Sequence, residues 1–99
     1  MFEVTFLDAV MLWAQTLQNW LAKHDVQLTF GRSEGDRPKH SSWVNIRSSD
    51  REGELLVWDS GEAELNLSDG SGAVTREHHD LRDISDLAPL LQGLIDLVD

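Results

Sequence analysis

The stretch that decides the fold is residues 55–72, LLVWDSGEAELNLSDGSG. Within it, residues 62–67 alternate between polar and apolar side chains, which is the period of a strand with one buried face. Ser60-Gly61 precedes this run as a short turn, and Asp69-Gly70-Ser71-Gly72 follows it as a strong hairpin signal. Strands joined by such short turns pair antiparallel, so we predict an antiparallel sheet at the centre of the protein.

Further alternating runs extend the sheet in both directions along the chain. The five predicted strands cover residues 26–30, 42–47, 55–58, 62–67 and about 73–79. Residues 31–41 are rich in Gly, Pro and charged residues and are predicted to be a loop, while residues 50–53 (DREG) are predicted to be a turn. Short links between successive strands favour a five-stranded meander.

A helix is predicted at each end of the sheet. Residues 3–24 carry apolar side chains at spacings of three and four, and residues 86–98 do the same after a cap at Ser85 or Asp86. Two helices with one apolar stripe each need one sheet face to bury against. The sequence therefore predicts one α+β domain over residues 1–99, in the order α-β-β-β-β-β-α, with both helices on one side.

The turn at Ser60-Gly61 also predicts which strand residues point inward. If it has two residues, Trp58 points inward with Leu65 and Leu67, Val57 faces Glu64, and Asp59 faces Glu62 across the hairpin. Two acids in that position repel each other without benefit to folding, which is typical of a binding surface. The predicted core comprises Trp13, Leu17, Trp20, Leu65, Leu67, Leu90 and Leu94.

The face of the sheet away from the helices is the candidate partner-binding surface. We predict that its contact residues are Trp43, Arg47, Asp59, Glu62, Glu64 and Glu77. An exposed aromatic beside carboxylates can anchor a basic partner, although Trp43 is also consistent with covering a sheet edge or packing under the 31–41 loop. Glu34 and Asp36 in that loop are the secondary candidates.

The acidic surplus is confined to the second half of the chain. Residues 1–49 hold five acids and five bases, whereas residues 50–99 hold thirteen acids and three Arg, which accounts for the whole net charge of −10. Such a field repels nucleic acid and anionic membranes and attracts basic protein surfaces. Solubility alone explains an acidic surplus equally well.

Other features favour a cytoplasmic protein that needs no cofactor. The sequence has no Cys, which excludes disulfides and thiolate metal sites. Residues 1–6 lack the basic segment of a signal peptide, and no apolar run approaches the roughly 18–20 residues of a membrane span. Glu77-His78-His79-Asp80 is the most enzyme-like string, but adjacent strand residues point to opposite faces, so the two His cannot share one metal. No other catalytic motif is present.

Four segments together resemble a known family. Ser33-Glu34, Pro38-Lys39, VWDSGEAEL at 57–65 and Glu77-His78-His79-Asp80 before a leucine-rich helix resemble the TriTu-type immunity proteins, over about residues 33–91. These proteins are partners of secreted polymorphic toxins, as in type VI secretion, whose ADP-ribosyltransferase domain modifies elongation factor Tu. The resemblance implies a non-enzymatic monomer that binds its toxin 1:1 in the NAD- or target-binding cleft. It supplies no catalytic or contact residues.

Other functions remain open from the residues alone. A nucleic-acid mimic, such as an antirestriction protein, also needs surplus acid, but at regular phosphate-like spacing; here the acids are interleaved with Leu and Val. A small metal-dependent hydrolase that removes ADP-ribose would use residues 77–80. A subunit of a larger assembly is a third alternative.

Overall fold

The predicted order of elements is confirmed. The computed structural model describes residues 5–33 and 40–98. Its elements are α1 (Phe6–Lys23), β1 (Gln27–Arg32), β2 (Ser41–Ser48), β3 (Arg51–Trp58), β4 (Glu62–Ser68), β5 (Val74–Asp80), a short 3-10 turn (Ile84–Asp86) and α2 (Leu87–Val98). The five strands lie side by side in chain order, and every neighbouring pair is antiparallel. The protein is therefore an α+β meander with a helix at each end.

Both helices cover the same face of the sheet, which we call the inner face. α1 contacts β1, β2 and β3, and α2 packs mainly on β3. The fully buried side chains between these layers include Val10, Leu21, Val44, Ile46, Leu55, Val57, Leu87 and Leu94. Leu65 and Leu90 are buried as predicted, and Trp13, Leu17 and Leu67 pack at the margin of the core. This layer fixes which face of each strand is left for solvent.

The apolar stripe of α1 differs in one place from the prediction. The helix begins after Thr5, whose hydroxyl accepts from the Asp8 amide in a capping box. Its buried residues are Leu7, Val10, Ala14 and Leu21. Trp20 was predicted in the core, but it is 45% exposed and its ring lies 4.4 Å from that of His24. At 3.6 residues per turn, Trp20 falls on the flank of the stripe that these buried residues form, and not at its centre.

Two predicted boundaries are wrong for local reasons. The turn between β2 and β3 is only Ser49–Asp50, because Ser49 adopts a left-handed backbone with φ 58°. Gly53 lies inside β3, where an added Cβ would come within 2.8 Å of Leu94 Cδ2, so this glycine allows α2 to approach the sheet. The 3-10 turn before α2 is capped by Asp83 in a capping box with Asp86, so the helical segment begins before the predicted cap at Ser85 or Asp86.

Candidate functional site

The candidate site is the opposite face of the sheet, which we call the outer face. None of the described helices covers it, because both pack on the inner face. The strand registers place on this face the residues Gln27, Thr29, Gly31, Ser41, Trp43, Asn45, Arg47, Glu52, Glu54, Leu56, Trp58, Glu62, Glu64, Asn66, Ser68, Val74, Arg76, His78 and Asp80. An antiparallel sheet with one open face is stable in water when that face is largely polar.

An apolar strip crosses the middle of the outer face. Trp43 lies directly across from Leu56 of β3 and from Gly31 of β1. Trp58 is on the same face, two residues along from Leu56, and all three large side chains are half-buried. The indole of Trp43 extends over Gly31, so it covers part of the edge strand, as the alternative interpretation anticipated. The strip is thus an apolar patch within an otherwise polar face.

Carboxylates flank this strip on the side of β3, β4 and β5. Glu64 lies between Leu56 of β3 and His78 of β5 in the strand register. Glu62 lies directly across from Asp80, which places two acids on neighbouring strands. His78 Nε2 is 3.4 Å from Asp80 Oδ1, so a protonated His78 would partly offset that acid. Direct repulsion between such cross-strand acids opposes folding.

The outer face is acidic as a whole. It carries five acids (Glu52, Glu54, Glu62, Glu64 and Asp80) and two Arg, which leaves a formal charge of −3 with its His neutral. Arg47 is already engaged, since its Nη2 lies 2.6 Å from Glu52 Oε2 and its Nε also donates to that oxygen at 2.9 Å. Both side chains remain largely exposed, so the pair is screened by water and adds little to stability.

The predicted facing of the β3–β4 hairpin is wrong. The loop has three residues, Asp59-Ser60-Gly61, with Gly61 at φ +94° and its amide donating to the Trp58 carbonyl at 3.0 Å. One extra loop residue moves every β3 side chain to the other face. Val57 is therefore fully buried and lies across from Ala63, while Trp58 faces outward.

The predicted acid pair between Asp59 and Glu62 does not exist. Asp59 is exposed in the turn, where its Oδ2 accepts from the His40 amide at 3.3 Å. Glu62 instead lies across from Asp80. The cross-strand acid pair at this end of the sheet is therefore between Glu62 of β4 and Asp80 of β5.

One predicted contact residue, Glu77, lies away from the outer face. Glu77 points to the inner side of β5, across from Leu65, where its Oε1 lies 3.1 Å from His79 Nε2. Helix α2 does not reach this part of the inner face, so Glu77 is exposed. Glu34 and Asp36 lie outside the described residues.

The histidines face opposite ways, as predicted. His78 shares the outer face with Glu64, whereas His79 lies across from Ala63 on the inner side. Within residues 5–33 and 40–98, no three His, Asp or Glu side chains are grouped so that they could hold a metal ion. No helix in this part of the chain is long and apolar enough to cross a membrane.

Sequence reasoning missed Leu56, Trp58, Glu54 and Asp80 as outer-face residues. The signal that could have found them is Gly61, since a glycine at the third loop position is typical of a three-residue hairpin with a bulge. With that loop length, Leu56 and Trp58 fall on the same face as Glu62 and Glu64.

The outer face thus presents an apolar strip beside polar and acidic side chains, and protein interfaces combine an apolar centre with a polar rim. Comparison with known families identifies this domain. Residues 8–97 match the TriTu immunity protein family, and the chain belongs to that family. No curated protein matches the chain significantly. Membership of this family implies that the protein neutralises a cognate toxin and that it is not an enzyme.

Proposed function

We propose that the protein neutralises an ADP-ribosyltransferase toxin inside the producing cell by placing its outer face over the toxin's NAD- or target-binding cleft in a 1:1 complex. The enzyme class of the toxin, its action on elongation factor Tu and its delivery by type VI secretion come from the family resemblance. The observation that carries the choice of surface is the acidic outer face, where an apolar strip lies beside five acids of β3, β4 and β5.

Charge complementarity supports this choice. A cleft that accepts the pyrophosphate of NAD needs cationic side chains, and an acidic partner is steered towards such a cleft at long range. The carboxylates of Glu54, Glu62 and Glu64 are candidates to pair with those cations. The strip formed by Trp43, Leu56 and Trp58 is the candidate anchor, because large aromatic groups at the centre of an interface carry much of its binding free energy.

Asp59 and Arg47 lie at the margins of this surface. Asp59 sits in the hairpin turn at one end, and Arg47 lies at the other end in its pair with Glu52. Glu77 belongs to the opposite side of the sheet, so we leave it out of the proposed interface.

A charge-reversal pair tests the proposal against a matched control. Glu62→Lys with Glu64→Lys changes the net charge by +4 on the outer face, and Glu77→Lys with Asp96→Lys makes the same change elsewhere. We expect the outer-face variant to lose toxin binding by about a hundredfold or more and to stop protecting toxin-expressing cells. The control should bind and protect as the parent does.

Circular dichroism and thermal unfolding of both variants separate loss of binding from loss of fold. A folded outer-face variant that still protects fully would exclude this surface. Rising salt should slow association more than it speeds dissociation, because steering is screened beyond about 8–10 Å at physiological ionic strength.

A further inference from the structure

Strands β1 and β5 form the edges of the sheet, no other described strand pairs with their outer sides, and the two edges differ in charge. Edge strand β5 carries five consecutive charged or titratable residues over 76–80, which is how natural sheets block unwanted strand pairing. Edge strand β1 (QLTFGR) has no charged residue before Arg32, and Arg32 already pairs with Asp8 at 3.2 Å. Nothing in the composition of β1 blocks the addition of a strand.

The direction of the backbone groups in β1 follows from one hydrogen bond. The Ser33 amide donates to the Ser41 carbonyl at 2.8 Å, in the same register that pairs Thr29 with Asn45. Hydrogen bonding alternates along an antiparallel pair, so the odd-numbered residues of β1 bond to β2. The amides and carbonyls of Leu28 and Phe30 therefore point away from the sheet, towards the open edge.

Space and apolar contacts are available beside this edge. A groove of about 560 Å³ runs along it, lined by the end of α1, Asp25 and the first residues of β1. On the outer side, the indole of Trp43 reaches over Gly31 towards the edge. On the inner side, Leu28 and Phe30 are only half-buried against the core. An added strand would find apolar surface on both of its faces.

We propose that β1 is a pairing edge for an extended segment of the toxin, which adds a sixth strand to the sheet. This inference rests on the proposed function and specifies how the partner is held. Main-chain hydrogen bonds to Leu28 and Phe30 supply binding free energy. The contacts with Trp43 on the outer side and Phe30 on the inner side select apolar residues that point to opposite faces of the segment.

Charge identifies the toxin, and not a second copy of this chain, as the occupant. Each copy carries a net charge of −10, which opposes self-association. The single charged residue that lines the groove is Asp25, so the segment it favours carries a basic residue at that end. Trp43 belongs to both surfaces, which makes the edge continuous with the proposed outer-face interface.

Amide hydrogen exchange tests the pairing directly. The probe is the purified catalytic domain of the cognate toxin. In its complex, the amides of Leu28 and Phe30 should exchange at least about tenfold more slowly than in the free protein. Thr29 is the internal control, because its amide is already bonded to β2. Unchanged exchange at Leu28 and Phe30 within a formed complex overturns the proposal.

Two substitutions at one position provide a second test. Leu28→Pro and Leu28→Ala both remove the leucine side chain, but only proline removes the outward-pointing amide donor. We expect Leu28→Pro to bind the toxin about tenfold more weakly than Leu28→Ala, the size of one lost hydrogen bond. Equal affinities of the two folded variants overturn the proposal.

The outcomes separate this inference from the proposed function. The edge pairing alone is overturned by one combination of results. In it, the Glu62→Lys, Glu64→Lys variant no longer binds the toxin, while the Leu28 amide of the parent protein stays unprotected in the parent's complex. Failure of the parent protein to bind the toxin overturns both. Protection of Leu28 and Phe30 without toxin, growing with protein concentration, identifies a second copy as the occupant and also overturns the proposal.

Discussion

The indole of Trp43 packs over Gly31 on the neighbouring strand. A Cβ built on Gly31 would be 2.9 Å from Trp43 Cζ2, closer than a real Cβ approaches another heavy atom, and 3.1 Å from Cε2, which is unusually tight. The absence of a side chain at position 31 therefore lets the tryptophan cross the edge strand. This pair places one aromatic group where both the outer face and the open edge of β1 use it.

Gly31→Ala should lower the free energy of unfolding. The new methyl group must displace the indole, which costs about 1–3 kcal/mol, and the reduced freedom of the unfolded chain offsets about 0.4–1 kcal/mol of this. We expect a net loss of about 1 kcal/mol in urea denaturation. Thr29→Ala, on the same face of β1, is the control and should lose less than about 0.5 kcal/mol. A stabilised Gly31→Ala protein would contradict this packing.

Leu65→Ala should be among the most destabilising single substitutions. Leu65 is 4% exposed on β4, and its Cδ2 lies within 3.7 Å of the Cβ position of Gly93 in α2. Removing it leaves a cavity between the sheet and the helix, with a cost of about 2–5 kcal/mol. Leu12→Ala is the control, because Leu12 is 62% exposed. Urea denaturation of both variants measures the difference, and equal losses would show that Leu65 does not fill the core.

The fold was predictable because its signals are local and agree with one another. The alternation over residues 62–67 and the glycines after Asp69 specify a hairpin without reference to the rest of the chain. The helical spacing at each end leaves one arrangement that buries both stripes. Element order, sheet topology and the side on which the helices pack all follow from these signals.

The candidate site was harder to predict because it depends on the length of one turn. Reading Ser60-Gly61 as the whole loop, instead of Asp59-Ser60-Gly61, reversed the facing of Val57 and Trp58. The side chains of β4 were unaffected, so Glu62 and Glu64 were placed correctly on the outer face. The predicted turn at residues 50–53 was wrong for a different reason. Gly53 lies inside β3, where its lack of a side chain lets α2 pack closely, and the sequence alone does not distinguish such a glycine from a turn glycine.

Ser42→Ala should stabilise the protein. Ser42 is fully buried on the inner face of β2, and its hydroxyl has no hydrogen-bond partner among the residues that the structure describes. A buried hydroxyl without a partner costs about 1–3 kcal/mol, and alanine fits the same space without that cost. We expect a gain of about 1 kcal/mol in urea denaturation. Ser60→Ala, in an exposed turn, should change nothing, and a destabilised Ser42→Ala protein would reveal a bond to this hydroxyl.

Acid should weaken the fold through three exposed carboxylates. Hydrogen bonds from Thr5, and then from Arg32, hold the pKa of Asp8 below its usual 3.8, and Ser71 and Ser85 do the same for the pKa values of Asp69 and Asp83. Each carboxylate is thus more acidic in the folded state than in the unfolded state. Its contribution to stability is complete above the unfolded pKa of 3.8 and is lost as the pH falls through the folded value.

Asp83→Asn isolates one of these contributions. Asp83 caps the segment that leads into α2, where it accepts from the Ser85 amide at 2.6 Å. Asparagine keeps a capping oxygen but cannot ionise. Thermal unfolding between pH 2.5 and 6, about the range in which such carboxylates titrate, should show a smaller fall in Tm with acid for Asp83→Asn than for the parent. Ser60→Ala, in an exposed turn and without an ionisable group, should follow the parent curve. Identical curves for all three proteins would mean that the Asp83 cap does not contribute to the acid sensitivity of the fold.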